Sequence, residues 1–157
     1  MTEVPWLTDR EQTVWRDLLA YHDALTARLD DDLQRATGLS LGDYEVLVHL
    51  SEAPNRSLRM AELAARCARS PSGLTRRVDR LARAGLVSRQ PCEDDRRGWF
   101  AVLSEDGHRR LMAAAPIHVK GVRRYLFDPL REASGPSVEG LGAGLAALRA
   151  AMEATPG

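Results

Sequence analysis

Residues 70–85 read Ser70-Pro71-Ser72-Gly73-Leu74-Thr75-Arg76-Arg77-Val78-Asp79-Arg80-Leu81-Ala82-Arg83-Ala84-Gly85. Serine followed by proline marks a helix start, with Ser70 as N-cap and Pro71 at the first helical position, where a missing N–H costs nothing. Leu74, Val78 and Leu81 are spaced four and three apart and form one apolar stripe, and Gly85 closes the helix. With that stripe inward, the first two turns expose Ser72, Gly73, Thr75, Arg76 and Arg77. Free amides at a helix N-terminus favour a phosphate. Gly73 has no side chain to hold a nucleic acid away, Thr75 presents a methyl and a hydroxyl, and arginine donates bidentately to guanine. The run is therefore expected to read a major groove, with Ser70, Ser72, Gly73, Thr75, Arg76 and Arg77 as DNA contacts.

The neighbours on both sides fit that role. Upstream, Met60, Leu63, Ala64 and Cys67 form the apolar face of a shorter helix, joined by a tight turn at Ala68 and Arg69. Downstream, Leu86 to Gln90 and Trp99 to Leu103 are expected strands around a charged loop, Pro91 to Gly98, with the turn residues of a hairpin. Its tip carries Asp94, Asp95, Arg96, Arg97 and Gly98. Arginine on such a tip can enter a narrow minor groove, where the negative potential is enhanced, and Asp95, two residues before Arg97, can brace it. Two helices, a tight turn and a hairpin with a basic tip make a winged helix-turn-helix.

Further out the pattern is helical. Val14, Leu18, Tyr21, Leu25, Leu29 and Leu33 stripe one long amphipathic helix, begun by a capping box of Thr8 with Glu11 and ended by Gly38. A second helix starts at Ser40, with Asp43 supporting its first turn, and stops before Pro54. After Ser104 and Gly107, the stripe Leu111, Met112, Ala115, Val119, Val122 and Leu126 contains Pro116, which is expected to kink or interrupt it. Beyond the break at Ser134-Gly135-Pro136, Val138, Leu141, Leu145, Leu148 and Met152 follow the spacing of an a/d seam. Two apolar stripes at opposite chain ends flank a basic middle, and are expected to pack together and with a second copy. The expected fold class is mainly α with a small two- or three-stranded wing (α+β). Residues 39–107 would form the winged helix-turn-helix, and 1–38 with 108–157 a helical dimerisation region.

Charge supports a polyanionic partner once it is counted locally. The chain has 22 basic and 22 acidic residues, yet Arg56 to Arg97 holds eleven arginines against five acids, a net of +6 that leaves −6 on the remainder. Binding responds to the field of one face and not to the sum. With 157 residues, 44 % hydrophobic and 28 % charged, the chain is long enough for one domain or two small subdomains and is neither disordered nor membrane-spanning in composition. No apolar run approaches the roughly 18 residues of a membrane helix. Met1 to Arg10 carries Glu3, Pro5 and Asp9 where a signal peptide would be basic and then apolar, so a cytoplasmic location is expected.

Enzymatic and metal chemistry find no support. The sequence lacks GxSxG, HExxH and GxxxxGK[ST], and its four histidines have no i, i+4 pairing. Neither a cofactor nor a metal is expected. Cys67 and Cys92 lack CxxC spacing and read as reduced thiols. Cys67 is expected to be buried, and Cys92 to lie beside the wing near Arg89, a setting in which cations activate thiols.

The string LAARCARSPSGLTRRVDRLARAGLVSR (63–89), followed by DDRRGWFAVLSEDG (94–107), resembles the MarR family of transcription regulators, and the order of elements fits over nearly the whole chain. Ala68 and Arg69 depart from the glycine and apolar residue common at that turn. The resemblance implies a homodimer joined by its terminal helices, each subunit presenting one winged helix to half of a pseudopalindromic double-stranded DNA site. It places Asp95 and Arg97 as the wing's bracing carboxylate and groove-entering arginine, with Arg96 beside them. It further implies a repressor released by a small aromatic or lipophilic effector in a cleft between dimer helices and winged domain, for which Trp15, Tyr21, His22 and Tyr44 are candidates. Peroxide-sensing relatives carry a cysteine in the first helix, and this chain has none. The rival reading is a winged-helix protein-interaction module without specific DNA binding, but such a module has no need of Arg96-Arg97 beside a basic helix.

Overall fold

The computed structural model describes residues 4–67, 70–92, 98–133 and 135–154. The chain divides into two compact units, Met1–His118 and Val119–Gly157. The first unit opens with helix α1 (Asp9–Thr37), whose Thr8/Glu11 capping box forms and whose end is set by Gly38 at φ 71°. Only the C-terminal part of its stripe is covered: Leu29 and Leu33 are buried, whereas Val14, Leu18 and Tyr21 are exposed. Helix α2 (Leu41–Glu52) begins with a second capping box, Ser40 with Asp43, and Asp30 of α1 accepts the Leu41 amide at 2.7 Å. A 3₁₀ turn at Pro54–Arg56 leads into strand β1 (Ser57–Arg59) and then helix α3 (Met60–Arg66).

Helix α4 (Pro71–Arg83) starts at the Ser70-Pro71 pair, and strands β2 (Val87–Pro91) and β3 (Trp99–Leu103) follow. The sheet is antiparallel with order β1-β3-β2. Leu58 faces Ala101 across one edge of β3, and Arg89 faces the same residue across the other. The short strand β1 is the third strand of the wing. Three residues are too few to show an alternation that separates strand from turn, which is why only β2 and β3 are legible in sequence. Leu33, Val46, Leu47, Leu50, Leu63, Leu74 and Val78 are fully enclosed, so α1, α2, α3 and α4 share one core with Leu58, Val87, Ala101 and Leu103 of the sheet. The result is a mainly helical winged helix-turn-helix with a three-stranded sheet.

Helix α5 (Glu105–Val122) runs through Pro116 without the expected interruption. A π-helical turn follows at Arg123–Phe127. In the second unit, helix α6 (Asp128–Glu132) precedes helix α7 (Val138–Ala154), where Ser137 Oγ accepts the Gly140 amide at 3.1 Å. Along α7, Leu145, Leu148 and Met152 are exposed at 53, 64 and 79 %. These three positions of the a/d seam are exposed. Among the described residues no helix is long and apolar enough to cross a membrane.

Candidate nucleic-acid interface

The start of α4 is built as its sequence requires. Ser70 Oγ accepts the Gly73 amide at 3.2 Å, and Pro71 has no N–H to satisfy. The Ser72 amide is then the first-turn donor without a partner inside the helix, and it points along the axis out of the N-terminus. Leu74, Val78 and Leu81 are buried, which turns Ser72 and Arg76 to solvent and leaves Gly73, Thr75 and Arg77 half-buried. Among the described residues, a β-carbon at Gly73 would meet only Ser70 Oγ, at 3.1 Å. The fold thus tolerates a side chain there, so interior packing does not account for the glycine. Thr75 Oγ1 donates to the Pro71 carbonyl at 2.9 Å. It lines a groove of about 370 Å³ together with Arg59, Met60, Ala64, Gly98 and Trp99.

Arg76 and Arg77 part company. Arg77 turns away from the outer face toward the N-terminus of α2, where its Nη1 donates to Ser40 Oγ at 2.9 Å and to Asp43 Oδ1 at 3.3 Å. Arg80, one turn on, donates to the same Asp43 oxygen at 2.5 Å. Asp43 is a buried acid, 5 % exposed. Burial by itself would raise its carboxyl, but the hydrogen bonds from Arg80 and Ser40 outweigh that and hold it below the usual carboxylate range. Arg77 was expected among the outward-facing readers with Arg76; its guanidinium is instead an internal tie. Asp43 and Arg80 were not singled out for this role. The i, i+3 spacing of Arg77 and Arg80 puts both on one helix face and is the signal that could have found it.

The wing is tied to α4 from the other side. Arg89 of β2 donates to Asp79 at 2.8 Å and lies 5.0 Å from the Trp99 ring centroid. Across the wing's base, the Cys92 amide donates to the Gly98 carbonyl at 2.9 Å, and Pro91 pairs with Trp99. Asp94, Asp95, Arg96 and Arg97, together with the turn residues Ala68 and Arg69, lie outside the described residues. The cysteine expectations change: Cys92 is the buried one and Cys67 is half-buried. A cation at Cys92 is Arg59, whose Nη2 stands 3.1 Å from Sγ.

Of the four effector candidates, Trp15, His22 and Tyr44 lie in different surroundings. Tyr44 is buried with its ring 4.6 Å from that of His118. His22 stands at the edge of a different cleft, of about 450 Å³, with Thr26, Asp30, Ser40, Glu45 and Arg77. Trp15 belongs to an exposed apolar patch with Leu7, Val14 and Leu18. Trp15 and His22 are seven residues apart, two turns along one side of α1, and both are exposed, whereas Tyr44 belongs to the core of α2. Among the described residues no three His, Cys, Asp or Glu side chains gather as for a metal.

A model of the MarR family matches residues 37–98. AbsC, a MarR family transcriptional regulator from Streptomyces coelicolor, is 42 % identical over 96 % of this chain and 97 % of its own, with a TM-score of 0.84. Sco3205, a MarR family regulator from the same organism solved in complex with DNA, is 38 % identical over 98 % of this chain and 92 % of its own, with a TM-score of 0.87. The HTH-type transcriptional repressor YetL of Bacillus subtilis is 31 % identical over 67 % of this chain. The match spans 63 % of the length of that curated relative.

Proposed function

Since this chain belongs to the MarR family of transcriptional regulators, we propose that it is a sequence-specific double-stranded DNA-binding repressor, acting in the cytoplasm as a homodimer on a pseudopalindromic operator. The observation that carries this reading is the first two turns of α4. Buried Leu74, Val78 and Leu81 fix the helix, while Ser72, Arg76 and a glycine that the interior does not require face outward. Ser70, Ser72, Gly73, Thr75 and Arg76 then meet the major groove, and Arg96 and Arg97, braced by Asp95, the minor groove. Residues 39–107 serve as the DNA-binding domain, and 1–38 with 108–157 as the dimerisation region. The exposed apolar residues Val14, Trp15 and Leu18 of α1, and Leu145, Leu148 and Met152 of α7, are the surfaces a second copy would cover. A small aromatic or lipophilic effector bound beside the winged domain would release the operator, with His22 at one cleft as its first candidate contact.

A salt titration of DNA binding tests the reading. Counterion release lowers log K by about 0.9 per neutralised phosphate for each unit of log salt. If about six to ten phosphates are contacted per dimer, affinity falls by about 10³ to 10⁵ between roughly 50 and 200 mM salt. A flat response would instead leave a protein-interaction module.

A further inference from the structure

Asp43 spends both carboxylate oxygens on one task. Oδ2 accepts the Ser40 amide at 3.2 Å and the Ser40 hydroxyl at 2.7 Å, and Oδ1 takes the guanidinium groups of Arg77 and Arg80. Ser40 Oγ closes the ring by accepting from Arg77 Nη1 at 2.9 Å. The third wall is Gly42, where a β-carbon would lie 2.5 to 2.7 Å from three atoms of the Arg77 guanidinium. The N-terminus of α2 is therefore a fitted socket: a buried anion, a hydroxyl and a space only glycine leaves. It grips α4 at two positions one turn apart.

We propose that the Ser40–Gly42–Asp43 socket is a positioning device for DNA reading, with Asp43 setting the rotation of α4 by holding Arg77 and Arg80. Two ties on one helix face, 34 and 37 residues distant in sequence, fix a rotation that the greasy stripe of Leu74, Val78 and Leu81 leaves soft, because apolar contacts carry no directional preference. The socket also withholds positive charge. Arg77, 22 % exposed at its side chain, is kept from the phosphates, so the reading face depends on Arg76 and its neighbours more than on a general cationic field. Asp43 touches no base in this scheme and acts through α4. The inference rests on the proposed DNA-binding function.

The experiment uses the full chain with Asp43→Asn and, separately, Gly42→Ala. The first removes the charge while keeping a side chain that can cap α2; the second leaves Asp43 intact and displaces the Arg77 guanidinium by bulk, with alanine favouring the helix. Selection of bound sequences from a random pool and salt titration are both read, with circular dichroism melts alongside. Both variants are expected to lose discrimination between the selected site and random DNA by about tenfold or more, the scale of one base contact. The freed arginines should steepen the salt slope by up to about one per new phosphate contact. If either variant is folded and recovers the parent's preferred site with an unchanged salt slope, the positioning role is overturned. If Asp43→Asn does not fold, Gly42→Ala alone decides. A parent protein that selects no sequence at all fails earlier, at the DNA-binding reading itself.

Discussion

Arg89 on β2 and Asp79 on α4 face each other at 2.8 Å, with the Arg89 guanidinium also over the Trp99 ring. One side chain therefore joins α4 to both long strands of the wing. Their side chains are 31 and 42 % exposed, so solvent screens the pair and its worth is modest. A double-mutant cycle of Arg89→Met and Asp79→Asn in urea is expected to give a coupling of about 0.5–1 kcal/mol. Coupling indistinguishable from zero would mean the wing and α4 are joined only by their apolar contacts.

Gly107 sits against the carbonyl of Leu86, in a space no side chain can share: a β-carbon would overlap that oxygen and come within 2.8 Å of Leu103 Cδ1. The region is tightened by Ser104, whose hydroxyl donates to the Gly85 carbonyl at 2.7 Å and accepts the Gly107 amide at 2.9 Å. Gly107→Ala is expected to cost about 1–3 kcal/mol in chemical unfolding, because backbone and not a flexible tip must move. A variant as stable as the parent would contradict this.

Gly73 is the opposite case. It lies within a regular helix, and among the described residues only Ser70 Oγ must yield for a methyl. Replacing it with alanine should leave stability unchanged or raise it by about 0.5–1 kcal/mol, the helix preference of alanine over glycine. DNA affinity should fall, since the methyl stands on the outward face. Gly73→Ala with unaltered affinity would remove Gly73 from the interface.

His118 carries a pH dependence. Among the described residues its buried Nδ1 has no hydrogen-bond partner, and its ring lies against Tyr44. Burial pushes its pKa down, opposed by the nearby Glu45 carboxylate. A folded pKa below the unfolded one, near 6.5, means the unfolded chain binds the proton better. Stability from this group is thus complete above about pH 6.5 and is lost as pH falls through the lower folded value. His118→Phe, which keeps a ring on Tyr44, should flatten the fall in melting temperature between about pH 7 and pH 5. Parallel profiles for the two proteins would exclude the histidine as the cause.

Leu145 and Leu148 on α7 are exposed within the chain, so a double Leu145→Glu, Leu148→Glu variant costs the isolated chain little. Sedimentation is expected to show dimer for the parent and monomer for the variant. An unchanged dimer would put the interface elsewhere.

How far the sequence carries is plain from particular residues. Thr8 with Glu11, Ser40 with Asp43, and Ser70 with Pro71 announce three helix starts, because a cap is a hydrogen bond between residues three apart and needs no distant partner. Gly38 and the apolar stripe of α4 are legible for the same reason: periodicity and left-handed turns are properties of a short segment. The outward face of α4 follows directly from that stripe. The destination of long charged side chains does not. Arg76 and Arg77 are adjacent and chemically identical, yet one faces solvent and the other reaches Asp43, 34 positions upstream, through a gap left by Gly42. The same holds for Arg59 at Cys92, 33 positions apart, and for Tyr44, buried in the core while Trp15 and His22 are exposed on α1. Local order is encoded in neighbours along the chain. Which guanidinium meets which carboxylate depends on distances between helices that exist only after the core has closed.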